Sequence, residues 1–295
     1  MAEIGARNHA VTASLFCTAL TQLAGVRSSQ LCVAPAAGGD PQYPFNVKML
    51  GDEVLGNSGS FRHFLSSVSE QLQTPTLSLL VPFTGPGHHT GRYFLKPGPL
   101  NMGEERMLQF LGQLIGVALR AGIPLPLPLM PSFWSALAGE PAHAWQQCRD
   151  WDPVAHNHLA GLETCRQEEW GGVAAGGLRF TYRALTGEEV ELLPGGAALS
   201  VSWEDRAEYC GLVKGLRLGE WQCRERVEHI LAGLATTAPI AFIQNTFTPA
   251  ELELRVCGQP RVDLAFLRHH TIYQVGISGG LQLGEWPVEC QNLLI

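Results

Sequence analysis

Glu104-Glu-Arg-Met-Leu-Gln-Phe-Leu-Gly112-Gln-Leu-Ile-Gly116-Val-Ala-Leu-Arg-Ala121 is the stretch that decides the fold class. Met107, Leu108, Leu111, Leu114, Ile115, Ala118 and Leu119 recur at helical spacing, which predicts one long helix with an apolar stripe. Gly112 and Gly116 stand four apart on one face and leave room for a close helix crossing. Gly122 suits the C-cap. The next segment, Ile123-Pro-Leu-Pro-Leu-Pro-Leu-Met-Pro131, has alternating prolines that forbid a helix, so it reads as extended. Ser132 then caps a short helix through Leu137.

Upstream, Phe61 to Leu72 carries apolar residues at 61, 64, 65, 68 and 72, a second helical stripe. Leu77 to Phe83 and Arg92 to Leu95 read as partner strands around the turn Gly85-Pro-Gly-His-His-Thr-Gly91. Phe45 to Leu50 alternates and predicts a strand, and the glycines of Gly51 to Ser60 predict a loop. Residues 1–40 form a lead-in. Its apolar run, Val11 to Val26, reads as an amphipathic helix packed on the domain. Glu3 and Arg7 cancel, so the basic region of a signal peptide is missing.

Downstream, Trp151 to Ala235 reads as a separate small unit. His156 to Cys165 is helical, and Trp170 to Gly177 is a Gly/Ala linker. Leu178 to Ala184 and Val190 to Leu193 flank the hairpin signal Thr186-Gly187. Leu199 to Trp203 is a short strand, and Asp205 to Leu216 and Glu220 to Leu234 are helices. From Pro239 short helices resume, one opening at Thr248-Pro249. Leu159, Leu162, Phe180, Tyr182, Ile230, Leu231 and Leu234 are the apolar positions of this unit and, taken alone, read as its core. A unit of roughly 80 residues cannot bury everything, so part of that set is a candidate docking groove.

The composition narrows the function classes. With 295 residues, 45% apolar and 16% charged, the chain is a folded protein of about two domains. A net charge of −7 argues against a nucleic-acid partner, because phosphate neutralisation needs a basic face. No run of about 18 apolar residues is present, so no membrane span is expected. The eight cysteines are scattered with no CxxC pair, which argues against zinc and for reduced thiols of the cytosol or nucleus. No phosphate loop or nucleophile elbow occurs, and His88-His89 and His269-His270 are adjacent pairs that point different ways, so neither cofactor nor metal is expected. Glu251 and Glu253, two apart on a predicted helix, face different sides. They read as a helix-start carboxylate and a tertiary salt bridge, not an acid/base pair with Asp263. Gly215-Leu-Arg-Leu-Gly-Glu-Trp221 returns almost unchanged as Gly280-Leu-Gln-Leu-Gly-Glu-Trp286, an echo with no physical account.

Phe247-Thr-Pro-Ala-Glu251-Leu-Glu253-Leu-Arg-Val-Cys257-Gly258, with Asp263, Leu267 and Thr271-Ile-Tyr273, resembles the end of the N-lobe of HECT-type ubiquitin ligases. The motifs before it resemble the family in order. Gly51-Asp-Glu-Val-Leu-Gly-Asn-Ser-Gly59-Ser-Phe-Arg62-His-Phe64 is similar to its early acidic, Gly-Gly and Arg-aromatic motif. Phe110 to Leu119 looks like its FxGxxxGxAL helix, and Leu125 to Leu137 like the leucine-rich segment after it. Leu193-Pro-Gly-Gly196, Val201 and Tyr209 look like its small-subdomain run. Together these cover residues 45–277. Thr186-Gly-Glu-Glu-Val-Glu-Leu192 is most like the very large HECT-domain-containing ligases. Gly56, Ser58 and His63 depart from the family pattern at an acidic residue, a glycine and a glutamate.

The resemblance implies an α+β, mainly helical fold, a HECT N-lobe of two subdomains. The large helical one spans 41–150 and 236–277, and the small α/β one spans 151–235 and docks E2. Residues 278–295 form a tail outside the resemblance. Its partners are an E2 ubiquitin-conjugating enzyme and, through charged E2, ubiquitin. By position, Leu159, Leu162, Phe180, Tyr182, Leu231 and Leu234 line the E2 groove, so Leu234→Asp is expected to abolish docking and leave the fold intact. In the family a cysteine-bearing lobe comes next, but only 22 residues lie beyond Tyr273. Cys257 looks structural, and Cys290 lacks the Thr-Cys-aromatic context of the thioester cysteine. The chain is therefore expected to be a truncated ligase module that binds charged E2, or alternatively a non-catalytic regulator that sequesters E2 or pairs with a full-length ligase.

Overall fold

The computed structural model describes residues 14–32, 43–48, 57–85, 89–173, 177–259, 264, 265 and 269. Met1–Gly258 and Gln259–Ile295 fall into two compact units, and the main core and both sheets belong to the first. Asp263, Leu267, Thr271 to Tyr273, Cys290 and the second copy of the echo lie outside the described residues. The described chain is mainly helical, with two small two-stranded antiparallel sheets.

The predicted long helix is α4 (Met102–Ala121), numbered after α1 (Leu15–Leu23), α2 (Ser28–Leu31), α3 (Asn57–Leu72) and the strands β1 (Leu80–Pro82) and β2 (Tyr93–Leu95). A capping box starts it. Asn101 Oδ1 accepts from the Gly103 and Glu104 amides, both at 2.9 Å, and Glu104 Oε2 accepts from the Asn101 amide at 3.2 Å. Gly122, at φ +64°, ends it in the left-handed conformation. Its buried face includes Leu108, Leu111, Leu114, Ile115 and Ala118. Phe61, Phe64, Leu65, Val68 and Leu72 of α3 pack into the same core, as their spacing predicts. Phe16 of α1 joins them, with its ring 5.2 Å from that of Phe110.

The glycine pair of α4 meets α9 (Arg224–Ala235). A Cβ at Gly112 would stand 1.9 Å from the Ile230 carbonyl oxygen, and one at Gly116 would stand 2.0 Å from Thr237 Oγ1. From the other side, a Cβ at Gly233 would meet the Gln109 carbonyl oxygen at 1.8 Å. Glycines on both helices therefore bring the two backbones into direct contact, closer than any side chain permits.

After α4 the chain runs extended. Ile123, Leu125, Leu127 and Leu129 are all buried, and Pro124 and Pro126 between them are exposed. This strand-like alternation seats the leucines between β2 and α11 (Pro249–Cys257). Tyr93 of β2 donates to the Pro128 carbonyl at 2.8 Å, and Leu125 donates to the Val256 carbonyl at 2.8 Å. β1 and β2 pair Leu80 with Leu95 and Pro82 with Tyr93.

Several expectations are corrected. Residues 45–48 are not a strand. Tyr43 and Phe45 are held by their rings, each 5.1 Å from Phe61, with no backbone ladder beside them. Residues 57–60 are the first turn of α3 and not a loop; burial of Ser60 outweighs the glycine before it. Ser132 does not cap α5 (Pro131–Leu137). Pro131 occupies its first turn, where a missing N–H costs nothing, and Ser132 is buried inside the helix. Trp170–Val173 is a short helix, α7, and not linker. Leu199 to Trp203 contributes only a single bridge, between Ser200 and Arg179. The two helices predicted for the small unit, α8 (Arg206–Gln222) and α9, break at Cys223, at φ +39°, and not between 216 and 220.

Gly112→Ala should cost about 3 kcal/mol or more, because two backbones must part. Gly211→Ala, on α8 with open space around its Cβ position, should gain about 0.5–1 kcal/mol. Denaturant unfolding of both variants checks the pair; equal effects would contradict the crossing.

Candidate functional site

Leu159 and Leu162 lie on α6 (Pro153–Thr164) and are fully buried, as Phe180 nearly is. They form a second core with Val201, Tyr209, Cys210 and Val213. Tyr182, on β3 (Thr181–Arg183), is half-buried at its edge. β3 pairs with β4 (Glu189–Glu191) through Tyr182 and Val190, with Gly187 at φ +90° in the expected turn. The two glycines of the Gly195-Gly196 pair have different reasons: Gly195 stands at φ +74°, and Gly196 is required by packing. A Cβ at Gly196 would sit 2.3 Å from the Phe180 carbonyl oxygen, so only glycine lets the loop lie on β3.

The six residues predicted to share a groove do not share one. Leu231 and Leu234 belong to α9 and pack with the main core; Leu234 is 0% exposed and lies against Gly116 of α4. Leu231 lines a different cavity of about 350 Å³ with Ser135, His143, Gln222 and Val227. The helical period of 224–234 revealed an apolar face but not which of two cores would bury it. Leu159, Leu162 and Phe180 are the floor of the small core and not an open lining. Its outer rim carries Tyr182, Leu192 and Leu193. Beside it, Leu199, a residue expected in a strand and not singled out by its sequence context, is 48% exposed and is joined to the core by its backbone, its carbonyl accepting from the Phe180 amide at 3.1 Å.

Arg217 of α8 ties this small core to its support. It is 8% exposed. Its Nη1 meets Glu220 Oε2 at 2.7 Å, its Nη2 donates to the Arg183 carbonyl at 2.8 Å, and its Nε stands 3.5 Å from Asp152 Oδ2. The guanidinium also lies 4.9 Å over the Tyr182 ring. Glu220 Oε1 accepts from the Leu185 amide at 2.8 Å, and Asp152 Oδ1 caps α6 through the Ala155 amide at 2.9 Å. One buried cation thus fixes α6, α8 and the hairpin together.

Aromatic rings carry the join further. Trp145 stacks on His156 at 4.0 Å and on Trp221 at 5.5 Å, and Trp151 meets Trp221 edge-on at 5.6 Å. Trp151 and Trp221 share a small cluster with Phe83, Phe94 and Met130. Burial lowers the His156 pKa. A hydrogen bond to the Trp145 backbone and the Asp152 charge oppose this, while Arg149 and Lys214 add to it.

The carboxylates of the last motif take the structural roles expected of them. Glu251 completes a capping box with Thr248, which holds its carboxyl below the usual range. Glu253 pairs with Arg92 at 2.8 Å. The described thiols are tied into the fold. Burial pushes Cys148 and Cys223 up to about 12, and Cys210 and Cys257 up to about 11. Cys257 Sγ donates to the Leu127 carbonyl. Cys17 Sγ lies 3.9 Å from Met107 Sδ, and Cys32 Sγ donates to the Thr236 carbonyl. With their protons held this firmly, Cys148, Cys210, Cys223 and Cys257 are poor nucleophiles at neutral pH. Among the described residues no three His, Cys, Asp or Glu side chains gather as a metal site, and no single helix is long and apolar enough to cross a membrane.

Comparison with known proteins adds the family. The HECT-domain (ubiquitin-transferase) profile matches residues 66–288, running past the 277 at which the motif resemblance ends. The chain is 43% identical to human "Probable E3 ubiquitin-protein ligase HECTD4", over 93% of this chain and 7% of that protein. It is 29% identical to human "E3 ubiquitin-protein ligase HERC2", over 83% of this chain and 5% of that protein. It is 27% identical to chicken (Gallus gallus) "E3 ubiquitin-protein ligase HACE1", over 81% and 25% respectively. The chain therefore spans less than a tenth of the length of the first two relatives.

Leu234→Asp should unfold the protein, because a carboxylate there has no partner at the α4–α9 crossing; a cost of about 4 kcal/mol or more is expected in denaturant melts. Removing Arg217 as Arg217→Ala should cost about 3–5 kcal/mol by stranding Glu220, and hydrogen exchange should rise first in β3 and β4. The His156 sign is set by its lowered folded pKa. The unfolded chain binds the proton more readily, so stability should fall as pH drops through about 6.5. His156→Phe keeps a ring on Trp145 and should flatten that part of the pH profile between pH about 7.5 and about 5.5.

Proposed function

The chain belongs to the HECT-domain (ubiquitin-transferase) family, and from that premise we propose that it is the part of such a ligase that receives ubiquitin-charged E2. The observation that carries this reading is the family match from 66 to 288, which takes in the whole small core with the scaffold that holds it. E2 docks on the rim of that core. Leu159, Leu162 and Phe180 act from below as a rigid floor, and Tyr182 and Leu199 meet the partner. An apolar rim over a packed floor suits insertion of a bulky E2 side chain, the usual anchor of a small interface. Arg217 and the tryptophan stack hold the rim at a fixed position relative to α4, which reduces the ordering cost of docking.

HECT chemistry passes ubiquitin through a cysteine thioester, which needs an accessible thiolate. The described thiols are buried or engaged within the fold, and that favours a docking role for this segment over a transfer role. The same fact supports a second reading, in which the segment holds E2 or pairs with a complete ligase as a regulator.

Titration of a panel of ¹⁵N-labelled E2 proteins with the chain tests the docking. Saturable shifts confined to one E2 surface are expected, with affinity near micromolar, about −8 kcal/mol. Leu199→Asp should weaken binding at least about tenfold, or 1.4 kcal/mol, with no change in melting temperature. A folded chain that shifts no E2, or a Leu199→Asp variant that binds unchanged, would sink the reading or its assigned surface respectively. Addition of charged E2 and then non-reducing electrophoresis separates the two roles: a ubiquitin thioester on the chain would argue for transfer.

A further inference from the structure

The cavity that Leu231 lines is a groove between α5 and α9. Ser132, Ser135 and Ala136 of α5 stand at i, i+3 and i+4, so they share the helix face that forms one wall. The opposite face sends Phe133, Trp134 and Leu137 into the main core. Arg224, Val227, Glu228 and Leu231 supply the second wall from one face of α9, and Glu140, Pro141 and His143 complete the lining. A volume of about 350 Å³ is at the low end for ligand sites, about 300–1,000 Å³, and suits one long side chain.

Ser132 is 5% exposed, and its hydroxyl has no hydrogen-bond partner among the described residues. The sealed polar atoms without a partner include His143 Nε2 but not this hydroxyl, so it opens on the cavity that its helix face lines. Ser135 Oγ donates to Glu140 Oε2 at 3.1 Å, which leaves the other oxygen of that carboxylate without a donor among the described residues. Glu228 belongs to none of the described ion pairs, although Arg224 stands one turn before it. Two unpaired carboxylates thus share the groove with one guanidinium. Arg224 is exposed and also borders a second cavity with Glu220 and Glu225. Ala136, Pro141, Val227 and Leu231 make the rest of the lining apolar.

We propose that this groove receives an arginine side chain of a partner protein. Its aliphatic stem lies on Val227 and Leu231, and its guanidinium donates to Glu140, Glu228 and the Ser132 hydroxyl. The charge of the two carboxylates names a cation, and the apolar walls name one on a long stem. A lysine ammonium is a compact point charge and uses such spread acceptors less well than a planar fork of donors. The groove shares no residue with the rim proposed for E2 docking and does not depend on that reading.

The test is ¹⁵N NMR of the 295-residue chain, monitoring the amides of Ser132, His143 and Glu228. Nα-acetyl-arginine amide, Nα-acetyl-lysine amide and Nα-acetyl-norleucine amide are titrated separately at constant ionic strength. Saturable shifts are expected with the arginine compound, at least about threefold tighter than with lysine. Ser132→Ala should weaken binding about threefold and leave the melting temperature unlowered, because the hydroxyl has no protein partner to strand. Glu228→Gln, at an exposed position, should weaken it at least about threefold, and Arg224→Gln should tighten it about twofold. Equal shifts with the norleucine compound, lysine binding as tightly as arginine, unchanged binding in a folded Glu228→Gln protein, or a lower melting temperature for Ser132→Ala would each overturn the proposal.

Discussion

The backbone contact between α4 and α9 is the constraint on which the rest depends. Gly112 and Gly233 bring main chains together without side chains between them, and Gly116 admits Thr237. Thr237 is itself buried, with its hydroxyl 3.4 Å from the Gln113 carbonyl and its own carbonyl accepting from Arg120 Nε. Because the contact is at backbone level, it fixes where α9 starts as well as where it runs. That placement puts the α8–α9 break against the loop after β2 and sets the direction in which α8 leaves. The small core is built on α8, so its position is inherited from three glycines on other helices.

The second determinant is electrostatic. Arg217 is buried with Glu220 and near Asp152, a cluster whose desolvation is repaid only by good geometry. Such a cluster adds little net stability, but it tolerates few alternative arrangements. It specifies the hairpin's position where an apolar patch of the same size would allow sliding. Trp145, shared between the small core and the tryptophan cluster, makes the same join with rings.

How much of this was legible in the sequence depended on whether the signal was local. The α4 stripe, its glycine pair, its Gly122 cap and the Leu-Pro alternation are local patterns, and each had its expected effect. So did Glu251 and Glu253, because a capping box is a four-residue event and a lone helical carboxylate usually seeks a distant cation. The missed features needed a partner in space. Cys223 breaks the helix in a left-handed conformation rare for a non-glycine residue, held by thiol contacts to Leu95 and Glu220 that no spacing reveals. Leu231 and Leu234 have the right period for the small unit and pack elsewhere, because a period names a face and not its neighbour. Phe45 alternates like a strand, yet its ring, and not its backbone, found the partner.

The Leu-Pro segment has a consequence beyond packing. Along an extended chain, alternate residues present their backbone groups to opposite edges. The leucine edge spends its donors locally, Leu125 on Val256 and Leu127 on the Cys257 thiol. The proline edge has acceptors only, and Tyr93 and Ser69 take two of them, at Pro128 and Pro126. An edge with no N–H cannot be read as a template by another chain. A segment this apolar would otherwise be an obvious seed for intermolecular sheet growth during synthesis, before α11 has been made to cover it. The prolines therefore close one edge of this stretch to strand addition from the start, and the leucine edge closes only when Val256 and Cys257 of α11 arrive more than a hundred residues later.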